Sequence, residues 1–154
     1  MAKLSNDLDT LQAALRMFFQ TMKRPQNWTE ITARAGVTID RPAGAIIHLL
    51  ASSDKHYRLQ DLASALGIEA PSATRKTQEL EKIGYLERVV DPKDGRAVSF
   101  RLTASGEKLG KKLKAAHRAI LSQALAGWSD TDRQDFVRMF EKFSNDIVTS
   151  YSQK

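Results

Sequence analysis

The sequence predicts a mainly α protein with a small β wing: a winged helix-turn-helix core flanked by N- and C-terminal dimerisation helices. Three observations predict it. Two short helical patterns meet at Gly67 between Arg58 and Ile83, two β-prone runs follow at once, and apolar seams of helical spacing lie at both ends of the chain, outside that module. The expected division is 1–36 for N-terminal dimerisation helices, 37–102 for the winged core and 103–154 for C-terminal dimerisation helices.

Composition allows one globular domain of this size. The 154 residues are 42% hydrophobic and 27% charged, enough for a sizeable core. No stretch approaches the roughly 20 apolar residues of a membrane span. The first residues, Met1 to Asp7, turn acidic early and offer no apolar signal core, so a cytoplasmic protein with no membrane partner is expected. Cysteine is absent, which removes disulfides and thiolate metal sites. The net charge of +6 favours a polyanionic partner, provided the charge is placed to meet one.

Along the chain, Leu4, Leu8, Leu11, Leu15, Phe18 and Met22 alternate steps of four and three, a heptad-like seam on a first helix ending before Pro25. Asn27 to Glu30 reads as a helix start, with Asn27 as cap and Gly36 as stop. Asp40 can cap a third helix through Ile46 and Leu50, broken by Asp54 to Tyr57. Leu59, Leu62, Ala63 and Leu66 mark a short helix closed by Gly67 in a four-residue turn. The helix from about Ala70 to Ile83 buries Ala73, Thr77 and Leu80. Wound at about 100° per residue, it places Pro71, Arg75, Gln78 and Lys82 on the opposite side, with Ser72 beside them. Tyr85 to Val90 and Ala97 to Leu102 read as strands, with Val98, Phe100 and Leu102 inward and Ser99 and Arg101 outward. Between them the tip residues Lys93, Asp94 and Arg96 carry more charge than a turn requires. Thr103 caps a long helix whose early surface holds Lys108, Lys111, Lys112, Lys114 and Arg118. Ser129 to Asp132 opens the last helix, seamed by Phe136, Phe140, Phe143, Ile147 and Tyr151.

Polar side chains on the second helix of such a motif suit phosphates and base edges, and its first half is the end that enters a major groove. Surplus apolar helix at both ends suggests a homodimer, which would read half-sites about 10 base pairs apart. An enzyme is not indicated. His48, His56 and His117 are scattered, no phosphate-cradling Gly loop or nucleophile motif occurs, and no cofactor is implied. Two alternatives stay open: a metal-responsive regulator, and a winged-helix protein-interaction module without DNA binding.

The sequence also resembles the MarR (multiple antibiotic resistance regulator) family over nearly its whole length. The residues that carry the resemblance are Leu62 to Gly67, Leu80 to Leu86, and Asp94-Gly95-Arg96-Ala97 followed by Leu102-Thr103-Ala104-Ser105-Gly106. The resemblance implies a dimeric repressor of double-stranded DNA, released by a small lipophilic or phenolic effector. It makes Ser72, Thr74, Arg75, Lys76 and Gln78 the groove-facing set and Arg96 the minor-groove residue, oriented by Asp94 with Lys93 beside it. Two departures stand out. The tip holds fewer arginines than the family's wings often do, which lowers the expected wing affinity, and Pro71 stands where a hydroxyl residue is common. A ligand pocket between core and dimerisation helices would draw on Phe19, Trp28 and His48.

Overall fold

The computed structural model describes residues 2–53, 56–90 and 97–152, with the side chains of residues 2–4 left aside. Asp54, Lys55, the side chain of Leu4 and the wing tip, including Lys93, Asp94, Gly95 and Arg96, therefore lie outside the described residues. The order is α1 (Ala2–Lys23), α2 (Pro25–Ala35), α3 (Arg41–Ala51), β1 (Tyr57–Arg58), α4 (Leu59–Leu66), α5 (Ala70–Lys82), β2 (Leu86–Val90), β3 (Val98–Leu102), α6 (Ala104–Ala124) and α7 (Asp130–Ser152). This is a winged helix with a three-stranded antiparallel sheet in the order β1-β3-β2. The chain divides into two compact units, Met1–His117 and Arg118–Lys154. No described helix is long and apolar enough to cross a membrane.

In the first unit the core gathers around Ile46 and Ile47 of α3, Leu62 of α4, Leu80 of α5 and Leu113 of α6, all fully buried. Small residues permit the close crossing of α4 and α5: Ala63 and Ala73 are both buried at their junction. Gly67 ends α4 in the left-handed region (φ 61°), where a side chain would be strained, and the Ile68 amide closes the turn on the Ala63 carbonyl at 3.0 Å. Three residues, not four, separate the two helices.

Helix α2 starts three residues earlier than the sequence suggests. Pro25 occupies the first turn, where its missing amide costs nothing, and extended Arg24 precedes it. Asn27 is therefore inside the helix and donates its side-chain amide back to the Thr21 carbonyl instead of capping. Asp40 does cap α3, its Oδ1 accepting from the Ala43 amide at 2.9 Å.

The sheet departs from simple alternation. Val98 is 47% exposed, whereas Ser99 is fully buried. Ser99 lies in the central strand between Arg58 and Val89, so both edges of its backbone are paired, and it is not on a wet face. The two-residue strand β1 that supplies Arg58 is too short to leave a periodic signature.

Thr103 joins the sheet to α6. Its Oγ1 accepts from the Gly106 amide (3.1 Å) and donates to the Gly84 carbonyl (2.6 Å), while its amide bonds the Tyr85 carbonyl (3.1 Å). A Cβ on Gly106 would stand 2.1 Å from the Tyr85 oxygen, a rigid backbone atom.

In the second unit Ser129 caps α7 by accepting from the Asp132 amide at 3.1 Å. Trp128, Phe136 and Phe140 form an aromatic ladder with centroids 5.3 and 5.6 Å apart. No described residue of α7 is buried.

Gly106→Ala is expected to lower stability by about 1–3 kcal/mol despite alanine's better helix propensity, because the clash with a carbonyl forces α6 off the sheet. Gly127→Ala, where an added Cβ meets nothing within 4 Å, serves as the near-neutral control. Equal thermal midpoints for the two variants would contradict this packing.

Candidate nucleic-acid interface

Helix α5 divides by periodicity into two faces. Ala73, Lys76, Thr77 and Leu80, at spacing i, i+3, i+4, i+7, are buried. Pro71, Ser72, Arg75, Gln78 and Lys82 are exposed on the other side. Thr74 is half-buried and donates its hydroxyl to the Ala70 carbonyl at 2.9 Å, so that proton is spent within the helix.

Lys76 corrects the groove-facing set. It is only 8% exposed, and its Nζ donates to Asp40 Oδ2 and, at 2.7 Å, to Glu79 Oε2. The physical reason is position: residue 76 follows the buried Ala73 by three, so its stem packs inward and its ammonium turns to the carboxylates at the edge. These hydrogen bonds raise the Lys76 pKa against the opposing effect of burial. Burial would push the Asp40 carboxyl up, but the hydrogen bonds from Lys76 and the Ala43 amide, with the charges of Lys76 and Arg75, outweigh it and hold the group below its usual range.

Arg75 itself makes no ion pair among the described residues, in contrast to Arg88, Arg101, Arg133 and Arg138, each of which meets a carboxylate within 3.0 Å. Beyond the C-terminal end of α5, Arg88 of β2 grips Glu81 through Nε (2.7 Å) and Nη2 (3.0 Å) and lies over the Phe100 ring at 5.6 Å. That bidentate contact ties the root of the wing to the helix. The expected tip residues Lys93, Asp94 and Arg96 lie outside the described residues, so their relation to α5 stays a matter of sequence.

The three residues expected to line a ligand pocket sit in different settings. Trp28 is half-buried, donates Nε1–H to the Ile39 carbonyl at 2.8 Å, and presses its ring on Gly44, where a Cβ would be 2.1 Å away. Phe19 is 55% exposed and meets Phe18 edge-on at 5.6 Å. His48 is exposed, with its ring 5.8 Å from that of His117. Burial, then the nearby His117 and Lys114, lower its pKa. Among the described residues no group of three or more His, Cys, Asp or Glu side chains is placed to hold a metal ion.

This arrangement is a winged-helix module with one polar, exposed face on its second helix. Residues 39–98 match the model of the MarR family. Several solved structures share the fold. A MarR family protein from Bacillus stearothermophilus matches at 20% identity over 94% of this chain and 97% of that one, with a TM-score of 0.82. A mutant of S. aureus MepR bound to an oligodeoxyribonucleotide matches at 21% identity over 89% and 97%, with a TM-score of 0.57. S. aureus MepR bound to ethidium bromide matches at 20% identity over 86% and 95%, with a TM-score of 0.58.

Asp40→Ala removes both the α3 cap and a partner of Lys76, and is expected to cost about 1–2 kcal/mol at neutral pH. Asp40 titrates lower in the folded than in the unfolded chain, so its contribution is complete above the ordinary carboxylate pKa and is lost as pH falls through the folded value. Urea midpoints of wild type and variant should therefore converge below about pH 4. A gap that stays constant down to pH 2 would contradict a role for the ionised carboxylate.

Proposed function

We propose that the protein is a homodimeric DNA-binding transcriptional repressor. It acts in the cytoplasm on a palindromic operator and is relieved by a small lipophilic or phenolic ligand. The observation that carries this reading is the exposed α5 face of Ser72, Arg75 and Gln78. Among the described residues Arg75 makes no ion pair there, while its neighbour Lys76 is consumed in holding the helix. Arg75 and Gln78 have the donor geometry to bond guanine and adenine edges in a major groove, and Ser72 can meet a phosphate. In this reading Arg96, steadied by Asp94, enters the adjacent minor groove and Lys93 adds backbone charge. Lys76 acts only through the position it gives α5.

Dimerisation is supported in each unit separately. On α1, Leu8, Leu11, Phe18 and Met22 remain between 39% and 56% exposed, and on α7 Phe136, Phe140, Ile147 and Tyr151 remain between 43% and 75% exposed. Two such uncovered stripes suit burial against a second copy, with residues 1–36 and 103–154 serving association and 37–102 serving DNA. The oligodeoxyribonucleotide and ethidium held by MepR give precedent for both ligand classes within the fold.

Fluorescence anisotropy with duplex from upstream of the protein's own gene is expected to show binding that weakens steeply with salt. Arg75→Ala should cost about 1–3 kcal/mol at the preferred site and far less on unrelated sequence. Arg96→Ala should weaken binding as well. Absence of any duplex binding at low salt would overturn the proposal, and an equal Arg75 loss on all sequences would reassign that residue to phosphate.

A further inference from the structure

Half of the chain's net positive charge sits on one stretch of α6. Between residues 104 and 117 four lysines stand against Glu107 alone, a net of +3 in a chain whose net charge is +6. Helix α5, by contrast, holds three cations and two acids, a net of +1. The buried side of α6 packs on the core, with Gly110 close to Ala51 of α3 and Gly106 against the Tyr85 carbonyl in the turn after α5. At about 100° per residue, Lys108, Lys111 and Lys112 fall on the opposite side. All three are exposed, as is Lys114 beside them. The stripe therefore lies beyond the C-terminal end of α5, away from the first half of that helix, where Ser72 and Arg75 stand.

The stripe is short of counter-charge. Among the described residues none of the four lysines makes an ion pair, although Glu107 precedes Lys111 by four, the spacing that favours one. Acids that a second copy would offer from α7 are taken, Asp130 by Arg133 and Asp135 by Arg138. The counter-charge has to come from another kind of molecule, and the composition of the stripe selects its class. Lysine is depleted from protein interfaces, whose centres are enriched in aromatic residues, methionine and arginine, and the stripe has none of these. An ammonium is a compact point charge that suits a phosphate without demanding a fixed angle. From Lys108 to Lys114 the helix rises about 9 Å, the span of two or three phosphates of one strand at about 3.4 Å each.

We propose that the lysine stripe of α6 is a second docking surface for duplex DNA, one that grips phosphates without reading sequence, outside the segment that meets α5. Each lysine releases condensed counterions from the duplex, so the stripe adds salt-dependent affinity and no discrimination between sequences. Such a grip holds the protein on DNA that offers α5 no preferred bases, and braces a flanking stretch once the operator is found. The choice of duplex as partner rests on the DNA-binding reading above; the grip itself needs no operator.

The test uses the full chain and fluorescence anisotropy with three probes: a random duplex, the operator with long flanks, and the operator trimmed to its two half-sites. The triple variant Lys108→Gln, Lys111→Gln, Lys112→Gln is expected to bind the random duplex about tenfold more weakly at low salt. Its plot of log K against log salt should be shallower by about 2 to 3, since each phosphate contact contributes about 0.9. The flanked operator should lose affinity in the same way and the trimmed one little. The corresponding triple arginine variant keeps the charge and should bind as wild type does. Circular dichroism checks that both variants fold. In wild type, bound random duplex should protect Lys108, Lys111 and Lys112 from an acetylating reagent, which keeps the proposal testable if a variant misfolds. An unchanged salt slope, or lysines left open to acetylation on the duplex, would overturn the surface and leave a merely solvated face. Equal loss on the trimmed operator would place the lysines on the operator itself and overturn a separate site. Loss confined to a polyglutamate probe, with duplex binding intact, would overturn DNA as the partner. Stripe-dependent binding of random duplex by a protein with no operator preference would support the stripe and count against the operator reading alone. Operator binding that depends on Arg75 and not on the lysines would do the reverse.

Discussion

The Asp40 carboxylate is the joint on which the α5 face depends. One oxygen accepts the Ala43 amide and starts α3; the other receives the Lys76 ammonium from α5, thirty-six residues along the chain. A single side chain therefore fixes where one helix begins and how the other is rolled. Rolling α5 by even one residue position, about 100°, would bring Arg75 inward and turn Lys76 out. The buried stripe of Ala73, Thr77 and Leu80 resists that rotation by apolar packing, and the ion pair adds direction to it. Leaving Lys76 unpaired in this setting would be costly, so the pair specifies the orientation more than it adds net stability.

A second set of contacts sets the wing against the same helix. Arg88 clasps Glu81 at the C-terminal end of α5, and the Thr103 hydroxyl and amide bond Gly84 and Tyr85 in the turn that leaves it. Gly106 lets α6 approach the Tyr85 carbonyl closely enough for Thr103 to cap it. The helix, the turn, the strand pair and the start of α6 thus share one hydrogen-bonded seam. The sequence run Leu102 to Gly106 is the chemistry of that seam, which explains why a threonine and a glycine stand three residues apart there.

Most of the fold was legible because its signals are local. Gly67 needs a left-handed turn, Asp40 and Ser129 are capping residues before apolar runs, and the periodicity of α5 separates its two faces. Other features depend on residues distant in sequence and left no local trace. The family resemblance puts Lys76 in the groove-facing set, although its spacing from Ala73 and Leu80 places it on the buried stripe; its partner Asp40 cannot be inferred from the helix alone. Asn27 has the chemistry of a cap, but Pro25 starts the helix first. Ser99 alternates like an outward residue, yet the two-residue strand β1 makes its strand central. The meeting of His48 with His117 required the packing of α6 on the core.

The central claim is that the α5 face held by Asp40 and Lys76 is the surface that meets DNA. Photo-crosslinking tests it most directly, with p-benzoylphenylalanine placed at Gln78 on that face and, separately, at exposed Ala33 on α2. Irradiation in the presence of bound duplex is predicted to give a covalent protein–DNA adduct from position 78 and none from position 33. An adduct from position 33 with none from position 78, in protein that binds the duplex, would contradict the account.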